Sequence, residues 1–179
     1  MIINIRGLFE ENNAGIVNTQ AEERPVEQVQ RDIYDTHRHR IFSLAFHMTG
    51  DECEAEQLLA DSFVRAFQAD PKPDGSIIDS AFIEGLRAYF PLTPVPPVSP
   101  AASPEIAGKN VRRTDLEEAV RELPPIERLA FLLRDVEGYS PEAIAHLTGL
   151  SSPEITRTLF SARIRLRGIL TEIKAERAA

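Results

Sequence analysis

The sequence predicts an all-α protein: two small helical domains joined by a proline-rich linker, the second containing a helix-turn-helix. Three observations carry this. Apolar residues recur at spacings of three and four, no segment alternates with period two long enough to form a sheet, and Pro91–Pro104 (P-L-T-P-V-P-P-V-S-P-A-A-S-P) contains six prolines. Neither a helix interior nor a central strand tolerates that proline density. At about 3.1 Å per residue, an extended stretch of this kind is long enough to hold its neighbours roughly 40 Å apart. It either spaces them without contacts or threads through a partner's groove. The expected organisation is an N-terminal arm (1–25), a first helical domain (26–90), the linker (91–113) and a second helical domain (114–179).

Residues up to Glu23 are mostly polar and aperiodic, an arm rather than a folded element. Val26 to Met48 reads as a long helix ending at Gly50, with Ile33, Tyr34, Ile41, Leu44, Ala45 and Met48 facing a core. Asp51 followed by Glu54 marks the next helix start, and Ala55, Leu58, Leu59, Ser62, Phe63, Ala66 and Phe67 form its buried stripe. A short third element, Ile77 to Phe90, is stopped by Pro91. Beyond the linker, Thr114 and Glu117 read as a capping box, with Leu116, Ala119, Val120 and Leu123 as the apolar face. Pro124–Pro125 restarts the chain; Ile126, Leu129, Ala130, Leu133 and Val136 continue to Gly138, a helix terminator.

The most informative stretch is Ser140–Arg167, S-P-E-A-I-A-H-L-T-G-L-S-S-P-E-I-T-R-T-L-F-S-A-R-I-R-L-R. Ser140–Pro141 and Ser152–Pro153 each place a hydroxyl at an N-cap and a proline at the first helical position, where its missing N–H is no loss. Gly149 supplies the turn between them, and the pair is a helix-turn-helix signature. On the second helix Ile155, Leu159, Ala162 and Leu166 share a core-facing stripe. Arg157, Ser161, Ile164 and Gly168 fall opposite, with Glu154, Thr156, Arg165 and Arg167 on the flanks. A run with arginines at 157, 163, 165 and 167 suits phosphate contact; the plain alternative is a solvated face closing a small bundle.

The formal net charge of −8 divides unevenly, −8 over residues 1–110 and 0 over 111–179. Three or four phosphate contacts on so acidic a chain give little affinity at physiological salt, so a larger DNA-binding partner is required. No apolar run exceeds about eight residues and the N-terminus lacks a secretory pattern, which points to a cytosolic protein with no membrane partner. Cys53 is the single cysteine, excluding an internal disulfide and a multi-thiolate zinc site; a small apolar filler is its expected role. His37 and His39 point to different sides of one helix, so no metal site is expected. Without a phosphate loop, nucleophile elbow or HExxH motif, the sequence calls for no cofactor and no catalytic residue.

The text Tyr34-Asp35…Arg40-Ile41-Phe42-Ser43-Leu44-Ala45…Thr49-Gly50-Asp51…Ala55-Glu56…Phe63-Val64-Arg65-Ala66-Phe67, followed by Leu123-Pro124-Pro125…Arg128…Phe131-Leu132-Leu133-Arg134-Asp135-Val136-Glu137-Gly138, resembles the extracytoplasmic-function sigma factors of the sigma-70 family. The likeness covers roughly residues 26–67 and 116–170, and is most specific around the helix-turn-helix. It implies a region 2-like first domain that docks on core RNA polymerase and opens promoter DNA, and a region 4-like second domain that reads the upstream promoter element. An anti-sigma protein is a further implied partner. By that likeness Glu54, Gln57, Asp61 and Arg65 meet the polymerase. Ser152, Glu154, Thr156 and Arg157 approach base edges, and Arg163, Arg165 and Arg167 lie nearer phosphates. Arg157, able to read guanine bidentately, is the first choice for specificity.

One departure stands out. Where the family carries a long basic, aromatic helix that captures unpaired bases, Phe82–Phe90 is short, has Arg87 as its only cation, and offers only Phe82, Tyr89 and Phe90 for stacking. Two rival readings follow: a sigma-like decoy that binds polymerase or an anti-sigma protein without melting promoters, and a helix-turn-helix repressor with a helical effector domain.

Overall fold

The computed structural model describes residues 25–98 and 111–178, and every regular element among them is helical. Helix α1 (Val26–Thr49) buries Ile41, Leu44, Ala45 and Met48, a stripe at the 3-4-3 spacing of one helical face. Ile33 and Tyr34 are half-buried at its edge. Gly50 ends the helix at φ 76° and donates its N–H to the Phe46 carbonyl, a left-handed cap that glycine adopts without strain. Asp51 then accepts the Glu54 N–H at 2.9 Å and opens α2 (Glu52–Ala69). The buried stripe of α2 is Ala55, Leu58, Ser62, Phe63 and Ala66, with Phe63 edge-on to Tyr34 at 4.8 Å. Cys53, expected as filler, is exposed: it lies in the first turn, away from the stripe that begins at Ala55.

Helix α3 (Gly75–Tyr89) starts slightly earlier than its apolar pattern because Asp74 caps it, accepting the N–H groups of Ser76 and Ile77. The hydrogen bond from the Ser76 side chain, with those backbone donors, holds the Asp74 carboxyl below its ordinary value. Gly85 lets α3 approach α2; a Cβ there would stand 2.9 Å from Leu58 Cδ1. Gly85→Val is therefore expected to cost about 1–3 kcal/mol in thermal unfolding, through overpacking against a fully buried leucine.

In the second half, α4 (Arg113–Glu122) lacks the expected capping box. Thr114 lies inside the helix and donates to Asp115, while Glu117 is held by Arg113 at 2.8 Å. Ala119, Val120 and Leu123 are buried, whereas Leu116 is exposed at the helix edge. Pro125 occupies the first turn of α5 (Pro125–Phe131), which buries Ile126, Leu129 and Ala130 and runs into a π-helical turn, Leu132–Val136. That wider turn displaces the 3-4 register, so Leu133 still reaches the core but Val136, expected there, is 62% exposed. Gly138 follows at φ 78°. Helices α6 (Pro141–Thr148) and α7 (Ser152–Ala178) complete the fold.

The two halves pack on each other, α1 against α4 and α5 and α3 against α6, so the prolines do not hold them apart as their extended length suggested. Polar contacts bind the seam. Asp79 of α3 accepts from Arg40 Nη2 at 2.5 Å and from the Tyr139 hydroxyl, which also receives Arg40 Nη1 at 3.1 Å. Arg87, the sole cation of α3, donates to the Thr148 carbonyl at 2.6 Å, and Arg128 Nη1 donates to the Met48 carbonyl at 2.6 Å. Burial, and then the bond to Asp79, push the Tyr139 hydroxyl up to about 12. A group whose pKa is raised on folding favours the folded state fully below the unfolded value, near 10, and loses that contribution as pH rises toward 12. Stability should accordingly fall between about pH 10 and 12. Tyr139→Phe should remove both that slope and a tyrosinate absorbance step near 12.

Candidate nucleic-acid interface

The helix-turn-helix is built by local chemistry. The Ser140 hydroxyl accepts the Ala143 N–H at 3.1 Å with Pro141 in the first turn of α6, and Gly149 ends that helix at φ 74°. The second start differs from expectation by one residue. Ser151, not Ser152, is the capping residue: its N–H and hydroxyl donate to Glu154 Oε2 at 2.8 and 2.6 Å, and the Glu154 N–H returns to Ser151 Oγ at 3.4 Å. This reciprocal capping box leaves Ser152 as the first helical residue. Those serine hydrogen bonds hold the Glu154 carboxyl below its ordinary value. Glu154, expected near base edges, is thus tied back onto its own helix start.

Two faces of α7 are covered. Ile155, Leu159, Ala162, Leu166, Leu170 and Ile173 form the core stripe. On a second arc Thr158, Ser161 and Ile164 are also buried, although Ser161 and Ile164 are on the face the sequence pattern turns to solvent. For Ser161, only 2% exposed, the cause lies in α5 and the linker: its hydroxyl donates to Glu127 Oε1 at 2.8 Å and accepts the Val98 N–H at 3.4 Å. Arg165 Nε sits 3.1 and 3.2 Å from the two oxygens of the fully buried Glu127 carboxylate, and its Nη2 reaches the Pro96 carbonyl at 3.0 Å. Residues 94–97 of the linker therefore lie along the helix, leaving a cavity of about 220 Å³ lined by Pro94, Val95, Pro97, Arg157, Thr158 and Ser161 among others.

The exposed arc carries Thr156, Arg157, Arg163 and Arg167, with Ser152 half-covered at the helix start. Thr156 bonds the Ser152 carbonyl, and Arg157 Nε leans on the Pro153 carbonyl at 3.4 Å, leaving its outer nitrogens to solvent. Arg163 is paired with Asp135 at 2.8 Å, whereas Arg167 makes no ion pair among the described residues. Phe160, which the sequence reading passed over, projects 56% exposed from the same arc; an aromatic ring outside the apolar stripe was its only signal.

On α2, Glu54, Gln57, Asp61 and Arg65 are all exposed, with Arg65 3.7 Å from Glu84. Of the three aromatic residues open to base stacking by sequence, Phe82 is buried in the core, and Tyr89 and Phe90 pack half-buried, ring centroids 6.4 Å apart. No group of three or more His, Cys, Asp or Glu is gathered for a metal among the described residues.

Residues 113–166, from the start of α4 into α7, match the family described as sigma-70, region 4. The chain is also 25% identical over 158 residues to the ECF RNA polymerase sigma factor SigE of Mycolicibacterium smegmatis, a match covering 79% of this chain and 62% of that protein. The chain is thus similar to ECF sigma factors. It spans about three-fifths of the length of the curated relative it matches. Among solved structures it is similar to the sigma factor RpoE of Bartonella quintana, determined in complex with the anti-sigma factor NepR, with a TM-score of 0.56, 17% identity, and coverage of 79% of this chain and 96% of that one. At that identity the likeness concerns the fold, and every regular element among the described residues of this chain is helical.

Proposed function

We propose that the chain is a sigma factor that joins core RNA polymerase and directs it to particular promoters from the cytosol, without catalytic residues of its own. The observation that carries this reading is the region 4 match over the helix-turn-helix. In this reading residues 26–90 form the polymerase-docking unit, with Glu54, Gln57, Asp61 and Arg65 on its exposed face, and residues 114–178 form the promoter-reading unit. Ser152, Thr156 and Arg157 stand nearest base edges, Phe160 is suited to a thymine methyl, and Arg163 and Arg167 face phosphates. Glu154, Ser161 and Arg165 join them only after releasing Ser151, Glu127 and the linker. An anti-sigma protein is a further expected partner. The deciding experiment mixes the chain with core polymerase and a promoter library and looks for open complexes; polymerase binding without any melted promoter sinks this reading.

A second reading, a decoy that binds polymerase or an anti-sigma protein without melting DNA, draws on α3. Phe82 is buried there and Arg87 is engaged by the Thr148 carbonyl, so that helix presents little for an unpaired strand. Within the sigma reading, Arg157→Ala is expected to relax base preference at one position by about 1–3 kcal/mol. Arg167→Ala should weaken all sequences alike and reduce the salt slope by about one. Competition binding against a sequence library separates the two, and equal effects contradict the assignment.

A further inference from the structure

We propose that the segment Pro91–Val98 is an autoinhibitory strap that competes with duplex DNA for the flank of the reading face of α7 that holds Arg157, Ser161 and Arg165; this rests on the DNA-reading role given above. The strap is seated, not merely nearby. Leu92 anchors its start in the core beside the end of α3, the Pro96 carbonyl accepts from Arg165, and the Val98 N–H donates to Ser161. The residues it meets lie on one arc of α7: Glu154, Arg157, Thr158, Ser161 and Arg165. A duplex entering along that arc meets proline rings first.

The strap's chemistry suits a reversible cover. Prolines pre-set the extended backbone and leave few N–H donors, so the segment lies across a helix with little ordering entropy lost and little hydrogen bonding to undo on release. Its hydrogen bond from an arginine holds Arg165, whose guanidinium also pairs with the buried Glu127 carboxylate, against the helix. Arg157 and Arg167 are the arginines of α7 between 157 and 167 without a salt bridge among the described residues, and the strap lies against the first of them. Fewer available cations weaken and flatten the salt-dependent part of duplex binding. The strap also leaves α3 directly, so any partner that displaces the first helical unit pulls on it.

Two measurements on the full chain test this. In a Cys53→Ser background, the thiol introduced by Ser161→Cys should react with a maleimide at least about tenfold more slowly than the exposed natural Cys53 does in the unaltered chain, as expected of a covered site. Replacing the strap prolines (P94G/P96G/P97G) should accelerate that reaction. Separately, the glycine strap in an otherwise unaltered chain should bind a random-sequence duplex of about 20 base pairs, at about 50 mM salt, about tenfold more tightly than the natural strap. A thiol at position 161 as reactive as Cys53 overturns the proposal, because the strap is then not seated. So does a slow thiol with equal duplex affinity for both straps, which leaves the DNA-reading role standing. If neither chain binds duplex while the thiol stays protected, the DNA-reading role itself fails, and the strap's competition with it.

Discussion

Arg128→Ala is expected to lower the stability of the chain by about 3 kcal/mol, with a fall in melting temperature of about 6–12 °C. Arg128 Nη1 donates to the Met48 carbonyl at 2.6 Å, and Nη2 donates to the carbonyls of Leu123, at 3.2 Å, and Arg121. Met48 lies in the last turn of α1, and Arg121 and Leu123 at the end of α4. One planar fork thus satisfies the unpaired acceptors of two helix C-termini from different halves of the chain. Its charge is placed at the negative ends of both dipoles. Burial lowers the Arg128 pKa, and no carboxylate among its described hydrogen-bond or salt-bridge partners offsets this. Truncation leaves the carbonyls without their donor and opens a void at the seam. Arg128→Lys should recover less than half of the loss, since a single ammonium cannot span the three acceptors. Urea unfolding of the three chains measures this, and equal midpoints would contradict it.

Asp79→Ala should cost about 2–3 kcal/mol and, unlike Arg128→Ala, should mainly loosen the two halves from each other. The Asp79 carboxylate is the shared acceptor for Arg40 and Tyr139, which come from different halves of the chain. Its loss leaves a partly buried guanidinium without its counter-charge; burial lowers the Arg40 pKa, and the bond and charge of Asp79, with smaller contributions from Tyr139 and Glu137, raise it above its ordinary value. Asp79→Asn keeps the shape and one acceptor and should cost less. Small-angle scattering is the discriminating measurement: the radius of gyration should rise for the alanine variant, and an unchanged radius with an unchanged melting temperature rules the contact out as a tie between the halves.

The elements were legible in the sequence because their signals are local. Gly50, Asp51, Ser140 and Gly149 each act on a backbone group within four residues, and the apolar stripes of α1, α2 and α5 follow from helical period alone. Where two local signals compete, the reading slips: Ser151 and Ser152 are equally good caps by type, and Glu154, three residues after Ser151, decides between them. Val136 was misplaced because a π-helical turn breaks the period without marking the sequence. The seam was not legible for a different reason. Arg87 and Arg128 bind backbone carbonyls, which every residue possesses, so no pairing of side-chain types announces them. At the interface the residue types were readable and their availability was not. A polar helix face looks the same in sequence whether water or a proline segment covers it, and Ser161 and Arg165 differ from Thr156 and Arg167 only through contacts made 34 or more residues away in the chain.

The direct run from α3 into residues 91–98 gives the fold a kinetic property. Because the same chain carries both the cover and the covered helix, their encounter is intramolecular, at an effective concentration on the order of millimolar that dilution does not change. A duplex present at far lower concentration displaces it only where its affinity exceeds the strap's own by more than the ratio of the two concentrations. A protein that grips α2 and moves the first unit changes that effective concentration without touching α7 at all. Gain of access to DNA would then respond to the geometry of the partner rather than to its abundance, and the length of the leash would set the threshold.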